Sequence, residues 1–197
     1  MIKNVFGESI YFGKVNAETH EAIKTIVLAD KMNKSNESYG SWKFCELNSS
    51  FFEKSILYNE RLVGYETILE NEIKKHMNKI NEKLEYVIER PWYNVYKKGN
   101  FQEPHTHLGT SNGVALSCVY CIKESDAELY FFNPQYNVHK LSGIRSIFNS
   151  DNYKEHFIPD MKEGNLIIFP SYLYHGVSPQ KHDTERITIA VNIRVIT

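Results

Sequence analysis

The sequence predicts a mainly β fold of the α+β kind, a jelly-roll core braced by N-terminal helices. Three observations carry this reading. Apolar residues recur at helical spacing in the first half and switch to period two from Trp92 onward. The later apolar runs are short and separated by turn residues, which suits a sandwich or jelly roll. The chain holds 13 Tyr and 11 Phe, the side chains that fill pleated, half-buried surfaces. Its 197 residues fit one domain, with 1–90 as a helical support region and 91–197 as the jelly-roll core.

The elements follow in order. Ala17 to Met32 forms an amphipathic helix with Ile23, Ile26 and Val27 on one face and Asn16 as N-cap. Lys31 to Gly40 is polar and turn-like. A longer helix runs from about Asn59 to Leu84, with Leu62, Tyr65, Ile68, Leu69, Ile73, Met77, Ile80 and Leu84 in one stripe that packs on the protein's own sheet. Trp92 to Lys97 is a strand, turned by Gly99-Asn100. Val114 to Ile122 is nearly continuous in apolar residues, a strand covered on both faces. Glu128 to Phe132 ends at Asn133-Pro134, and Asn165 to Phe169 ends at Pro170. Between them Asn137 to Glu155 is polar, a long loop whose position and length suit a substrate lid. Arg186 to Ile196 alternates cleanly, with Ile187, Ile189, Val191, Ile193 and Val195 on one side and Arg186, Thr188, Ala190, Asn192 and Arg194 on the other.

Composition excludes several classes. Lys+Arg 23 against Asp+Glu 24 gives no electrostatic case for nucleic acid. No apolar run approaches the roughly 20 residues that cross a bilayer, and Met1 to Gly13 lacks the pattern of a signal peptide. Three cysteines, Cys45, Cys118 and Cys121, are too few for a disulfide framework, so a reducing cytoplasm is expected. Cys118 and Cys121, three apart on a strand, face opposite ways and cannot share an ion. There is no Gly-rich phosphate loop, no G-x-S-x-G elbow and no H-E-x-x-H. His20, His76, His139, His156 and His182 lack neighbours at ligand spacing and are expected on the surface or in loops.

Three other histidines and an arginine carry chemistry: His105-Thr106-His107, His175 and Arg186. Residues i and i+2 of a strand face one side, so His105 and His107 can converge on one metal. Imidazole suits Fe, Zn, Cu and Ni alike. A dedicated cation beside a mononuclear metal points to a dicarboxylate co-substrate, because a guanidinium presents a planar fork of donors that matches a carboxylate. In an ordinary sandwich Arg186 would face water. In a jelly roll the polar face of its strand can line the mouth of the barrel, with Thr188 beside it.

With these residues in view, Trp92 to Thr197 resembles the Fe(II)- and 2-oxoglutarate-dependent oxygenases with a double-stranded β-helix (cupin-like) fold. The shared pattern reads Trp92-Tyr93-Asn94, Gly99, His105-Thr106-His107, Val119-Tyr120, Phe169-Pro170-Ser171, His175 and Arg186-Ile187-Thr188. It covers about half the chain. The resemblance implies a hydroxylating dioxygenase that consumes O₂ and releases succinate and CO₂. It implies His105 and His175 as iron ligands and Arg186 with Thr188 on the distal carboxylate of 2-oxoglutarate. Tyr96 and Asn94 join the co-substrate site, as does Ser117 on the smaller face of its strand, with Ala115, Val119 and Cys121.

One position departs from the pattern. Such sites usually pair two histidines with one carboxylate, and here that position is His107. Either His107 is the third ligand, or Glu103 swings in, or His107 leads the motif and Gly109 leaves room for a halide. A jelly roll also hosts three-His cupin dioxygenases and isomerases, and binding modules without chemistry. A small molecule or a peptide fits as substrate, and a homodimer is compatible with the sequence.

Overall fold

A computed structural model describes residues 1–33, 47–52, 56–108, 113–148 and 150–196. Cys45 and Gly109 lie outside them, as does most of the polar stretch after Lys31. The chain opens with strands β1 (Ile2–Val5) and β2 (Glu8–Lys14), then helix α1 (Ala17–Asn33). Strand β3 (Asn48–Ser49) and the long helix α2 (Ile56–Ile80) follow. Strands β4 (Tyr86–Ile88), β5 (Trp92–Tyr96), β6 (Gln102–His105), β7 (Val114–Lys123) and β8 (Leu129–Phe132) come next. Helix α3 (Tyr136–Leu141) precedes β9 (His156–Phe157), β10 (Asn165–Pro170), β11 (His175–Val177) and β12 (Arg186–Val195).

Two antiparallel sheets form the core. The larger runs β1-β2-β10-β7-β12-β5-β3, with β4 continuing beside β12 beyond β5. The smaller runs β6-β11-β8-β9. Helices α1 and α2 cover the outer face of the larger sheet. There Ile23 and Val27 of α1 and Tyr65, Leu69, Ile73 and Met77 of α2 bury against Cys118, Tyr120, Ile122, Ile187, Ile189, Val191 and Ile193. This is the self-packing expected of the α2 stripe; the Leu62 side chain lies outside the described residues. A second cluster, with Leu129, Phe131, Phe169, Val177 and Tyr96, fills the space between the sheets. The isoleucines of β12 thus face the helices, and its polar side faces the interior, as a jelly roll allows. Asn16 caps α1, its Oδ1 accepting from Thr19 N at 2.9 Å.

The structure corrects several expectations. The first 90 residues are not only helical, because β1 and β2 join the larger sheet along β10. Their hairpin turns on Phe6 (φ 59°) and Gly7 (φ 89°), two left-handed residues of the kind a tight two-residue hairpin needs. The segment expected as a lid contains α3 and short 3₁₀ turns, and none of its described residues lines the interior cavity. It is tied elsewhere: Asn133 Nδ2 donates to the carbonyls of Asn152 and Lys154, and Phe6 N donates to Asn152 Oδ1. His20 and His76 are buried, not surface residues, because each meets a tyrosine hydroxyl. His20 Nδ1 lies 2.7 Å from Tyr120 Oη and His76 Nδ1 2.8 Å from Tyr11 Oη. Cys118 and Cys121 are buried free thiols, pushed up by burial to about 12 and about 11, and so unreactive at neutral pH. Among the described residues no helix is long and apolar enough to cross a membrane.

Candidate metal centre and co-substrate pocket

Strand pairing brings the histidines together. In the smaller sheet His175 of β11 is the Cα partner of His105 of β6. Strand β6 stops at His105, so His107 lies just past it rather than on the strand. Its backbone N donates to Ser171 O at 2.9 Å, and its ring stacks on Trp92 at 6.1 Å. The three rings close on one point, with centroids 4.3 Å (His105–His175), 5.2 Å (His105–His107) and 5.2 Å (His107–His175) apart. One ring nitrogen of each lies within 4.8 Å of the others, and no other such group of His, Cys, Asp or Glu forms among the described residues. Glu103 is not part of it.

The hydrogen bonds decide which nitrogens face inward. His105 Nδ1 donates to Glu103 O and His175 Nδ1 to Leu173 O, both at 2.8 Å. His107 Nδ1 donates to Asn192 Oδ1 at 2.6 Å. With every Nδ1 holding its proton outward, every Nε2 offers a lone pair. The Nε2 atoms of His105 and His107 are 3.3 Å apart, close to the ~3.0–3.4 Å of two nitrogens bound ~2.1 Å from one ion. Burial keeps the rings neutral: His105 is lowered to about 4, and His107 and His175 are also lowered. Three neutral donors converging without a proton between them fit a divalent metal.

A candidate co-substrate pocket is built from the inner faces of β5 and β12. Register sets Arg186 opposite Tyr96 and Thr188 opposite Asn94. All four are buried and line the cavity with Gln102, Val119 and the three histidines. Arg186 is only 2% exposed, its Cζ sits 5.2 Å over the Tyr96 ring, and neither Nη1 nor Nη2 has a hydrogen-bond partner among the described residues. A buried guanidinium without an anion is costly, so this fork is suited to an anionic group. Asn94 Oδ1 is likewise unsatisfied. Val119 faces the cavity, as expected for its side of β7. Ser117 lies further along that strand, opposite Asn192, and is not among the lining residues.

A profile of the family described as "Putative 2OG-Fe(II) oxygenase" matches residues 90–192, just over half of the chain. The chain belongs to this family. The family uses Fe(II) and 2-oxoglutarate, and the three histidines with the orphaned Arg186 fork fit both. Solved structures share the double-stranded β-helix fold. An oxidoreductase of the 2OG-Fe(II) oxygenase family from Burkholderia pseudomallei is 17% identical, with TM-score 0.52 over 68% of this chain and 59% of that one. The oxygenase thus spans under two thirds of that protein's length. A prolyl hydroxylase from Trichoplax adhaerens, in complex with a hypoxia inducible factor peptide fragment, is 12% identical, with TM-score 0.65 over 94% and 83%. A non-heme alpha ketoglutarate dependent epimerase from nogalamycin biosynthesis is 9% identical, with TM-score 0.65 over 94% and 77%. No curated protein sequence matches the chain.

Sequence reasoning missed several residues around the oxygenase's site. Gln102 accepts from Tyr96 Oη at 2.8 Å and lines the cavity. Asn192 holds His107, and its Nδ2 donates to Glu89 Oε2 at 3.2 Å. Phe51 packs its edge on Trp92 at 5.1 Å. Phe51, Trp92, Pro91, Glu89, Arg90 and Asn192 line an outer pocket that shares a wall with the metal centre. Asn192 alone left a signal, as a polar residue on the inward side of β12.

Two expected outcomes follow from this geometry. A Cβ on Gly176 would lie 2.7 Å from Tyr130 Oη and 2.9 Å from the Gln102 carbonyl. Gly176→Ala must therefore push β11 off β6 and carry His175 with it. Metal affinity falls and the melting temperature drops, measured by Co(II) titration and thermal denaturation. The second concerns acid. The histidines hold protons more weakly when folded, so above pH ~6.5 neither state binds them and stability is complete. Below that the unfolded chain protonates first, and stability of the metal-free protein declines from pH ~6.5 toward the folded value of about 4 for His105. Melting temperature measured across that interval should fall steadily; a flat profile contradicts the assignment of buried neutral rings.

Proposed function

We propose that this oxygenase is a 2-oxoglutarate-dependent dioxygenase that hydroxylates a C–H bond of a small-molecule or peptide substrate. The observation that carries the reading is the buried, unpartnered Arg186 fork across one cavity from three converging imidazoles. His105, His107 and His175 would hold Fe(II), and Arg186 with Thr188 would grip the far carboxylate of 2-oxoglutarate. Tyr96 and Asn94 would flank that carboxylate, whereas Ser117, opposite Asn192 on β7, is outside the cavity lining. With O₂, the bound iron and 2-oxoglutarate supply a two-electron oxidation in which one oxygen atom enters succinate, formed with CO₂, and the other enters the substrate.

The chain's own contribution is orientation and charge. Three neutral ligands leave the metal its full positive charge, one unit more than a site with a carboxylate ligand. With Arg186 this favours a dianionic co-substrate in a pocket walled by Val119, Leu129, Val177 and Ala190, where low polarity strengthens each charge contact. Such a site needs a route for substrate that does not cross Arg186. The outer pocket beside Trp92, with Phe51 about half exposed at its lip, is the route this reading assigns to it.

The test is Fe(II)- and O₂-dependent conversion of 2-oxoglutarate to succinate without added substrate, followed by a metabolite and peptide screen for a mass gain of one oxygen atom. Succinate formation with a substrate that isomerises or cyclises would overturn hydroxylation alone. Metal binding without any 2-oxoglutarate turnover would favour a cupin-type protein instead.

A further inference from the structure

We propose that Asn192, itself oriented by Glu89, is the positioning residue that makes His107 a metal ligand. The inference rests on the metal centre proposed above and adds how its unusual third position is held.

His105 and His175 are oriented by main-chain carbonyls two residues upstream, Glu103 O and Leu173 O. A carbonyl can only accept, so these rings have one possible tautomer, with Nε2 free to bind a metal. His107 is held differently. It lies beyond the end of β6, and its Nδ1 meets a side-chain amide, which could present either an acceptor or a donor. Presented as a donor, the amide would force the proton onto Nε2 and close that nitrogen to a metal.

Glu89 removes the ambiguity. Its carboxylate only accepts, so it holds Asn192 Nδ2 at 3.2 Å and leaves Oδ1 for His107. The two residues are also joined through the backbone, Glu89 N donating to Asn192 O at 2.9 Å. Asn192 is 5% exposed on β12, the strand that also carries Arg186 and Thr188. The orientation therefore passes from a carboxylate to an amide to an imidazole, ending in a lone pair directed at the other two rings. Trp92, stacked on His107, restrains the plane of the ring but cannot choose its tautomer.

The test is Co(II) titration of the full chain, combined with ¹⁵N-histidine NMR of the metal-free protein. Asn192→Ala is expected to weaken Co(II) binding about 10–100-fold and to move His107 from a single Nδ1–H form to a mixture. In a His107→Ala background the same substitution should cost nothing further. Asn192→Asp alone sets two carboxylates together, whereas Asn192→Asp with Glu89→Gln restores an acceptor toward His107 and should recover affinity. An equal loss on adding Asn192→Ala to His107→Ala would show a merely structural role and overturn the proposal, as would an unchanged His107 tautomer. If Asn192→Ala does not fold, Glu89→Leu takes its place, with the same expected shift in tautomer and an unchanged one as the opposing result. Failure of the metal centre itself reads differently: His105→Ala and His175→Ala would then leave Co(II) affinity at the wild-type value.

Discussion

Arg186→Met is expected to raise the melting temperature of the ligand-free protein while weakening 2-oxoglutarate binding roughly 150- to 5000-fold. Both effects come from one fact: the guanidinium is buried, and its two terminal nitrogens have no partner among the described residues. In the free protein this is an uncompensated cost of about 1–3 kcal/mol. Methionine, similar in length and apolar, removes that cost and still packs on the Tyr96 ring. In the complex, the same substitution strands a carboxylate in an apolar pocket, where losing one partner of a buried charge pair costs about 3–5 kcal/mol. Melting curves with and without 2-oxoglutarate separate the two effects. Wild type should gain stability from the co-substrate and the variant should not. A variant that melts lower and still responds to 2-oxoglutarate would end the co-substrate assignment. Lysine should rescue poorly, since it replaces a two-donor fork with a point charge.

His175→Ala should abolish metal binding and also destabilise the fold, whereas His105→Ala should mainly do the first. His175 is 4% exposed and packs against Phe169 at 4.9 Å and Phe131 at 5.9 Å, so its removal opens a hole in the inner cluster. A cost of roughly 2–4 kcal/mol is expected from the lost packing. His105 is more exposed than His175. Affinity in both variants should fall beyond the roughly 100-fold attached to loss of an outer hydrogen-bond partner. Co(II) titration gives the first quantity and denaturant unfolding the second. Equal destabilisation by the two variants would contradict the packing described for β11.

Much of this arrangement was readable in the sequence because its signals are periodic or chemically rare. The α2 stripe and the β12 alternation are long enough to fix a face each, so the inward side of Arg186 and Thr188 follows from the outward side of the isoleucines. The hairpin β1–β2 was not readable. Most of β1 is exposed, β2 lacks clean alternation, and the turn is Phe6-Gly7 rather than Asn-Gly or Asp-Gly. The burial of His20 and His76 depends on Tyr120 and Tyr11, partners distant in the chain that no local pattern announces. Asn192 was seen only as one polar residue in a series. Its contact with His107 depends on where a loop beyond β6 comes to rest, which spacing does not encode.

The placement of β12 has a consequence for damaged or truncated chains. It is flanked by β7 on one side and by β5 and β4 on the other, so it sits in the middle of the larger sheet although it follows every other strand in sequence. A nascent polypeptide cut short before Arg186 lacks the central rib of its framework, not merely its anion clamp. Premature termination would therefore leave no well-folded impostor to sequester iron without turning over, and cellular proteolysis would meet an open, unpaired sheet instead.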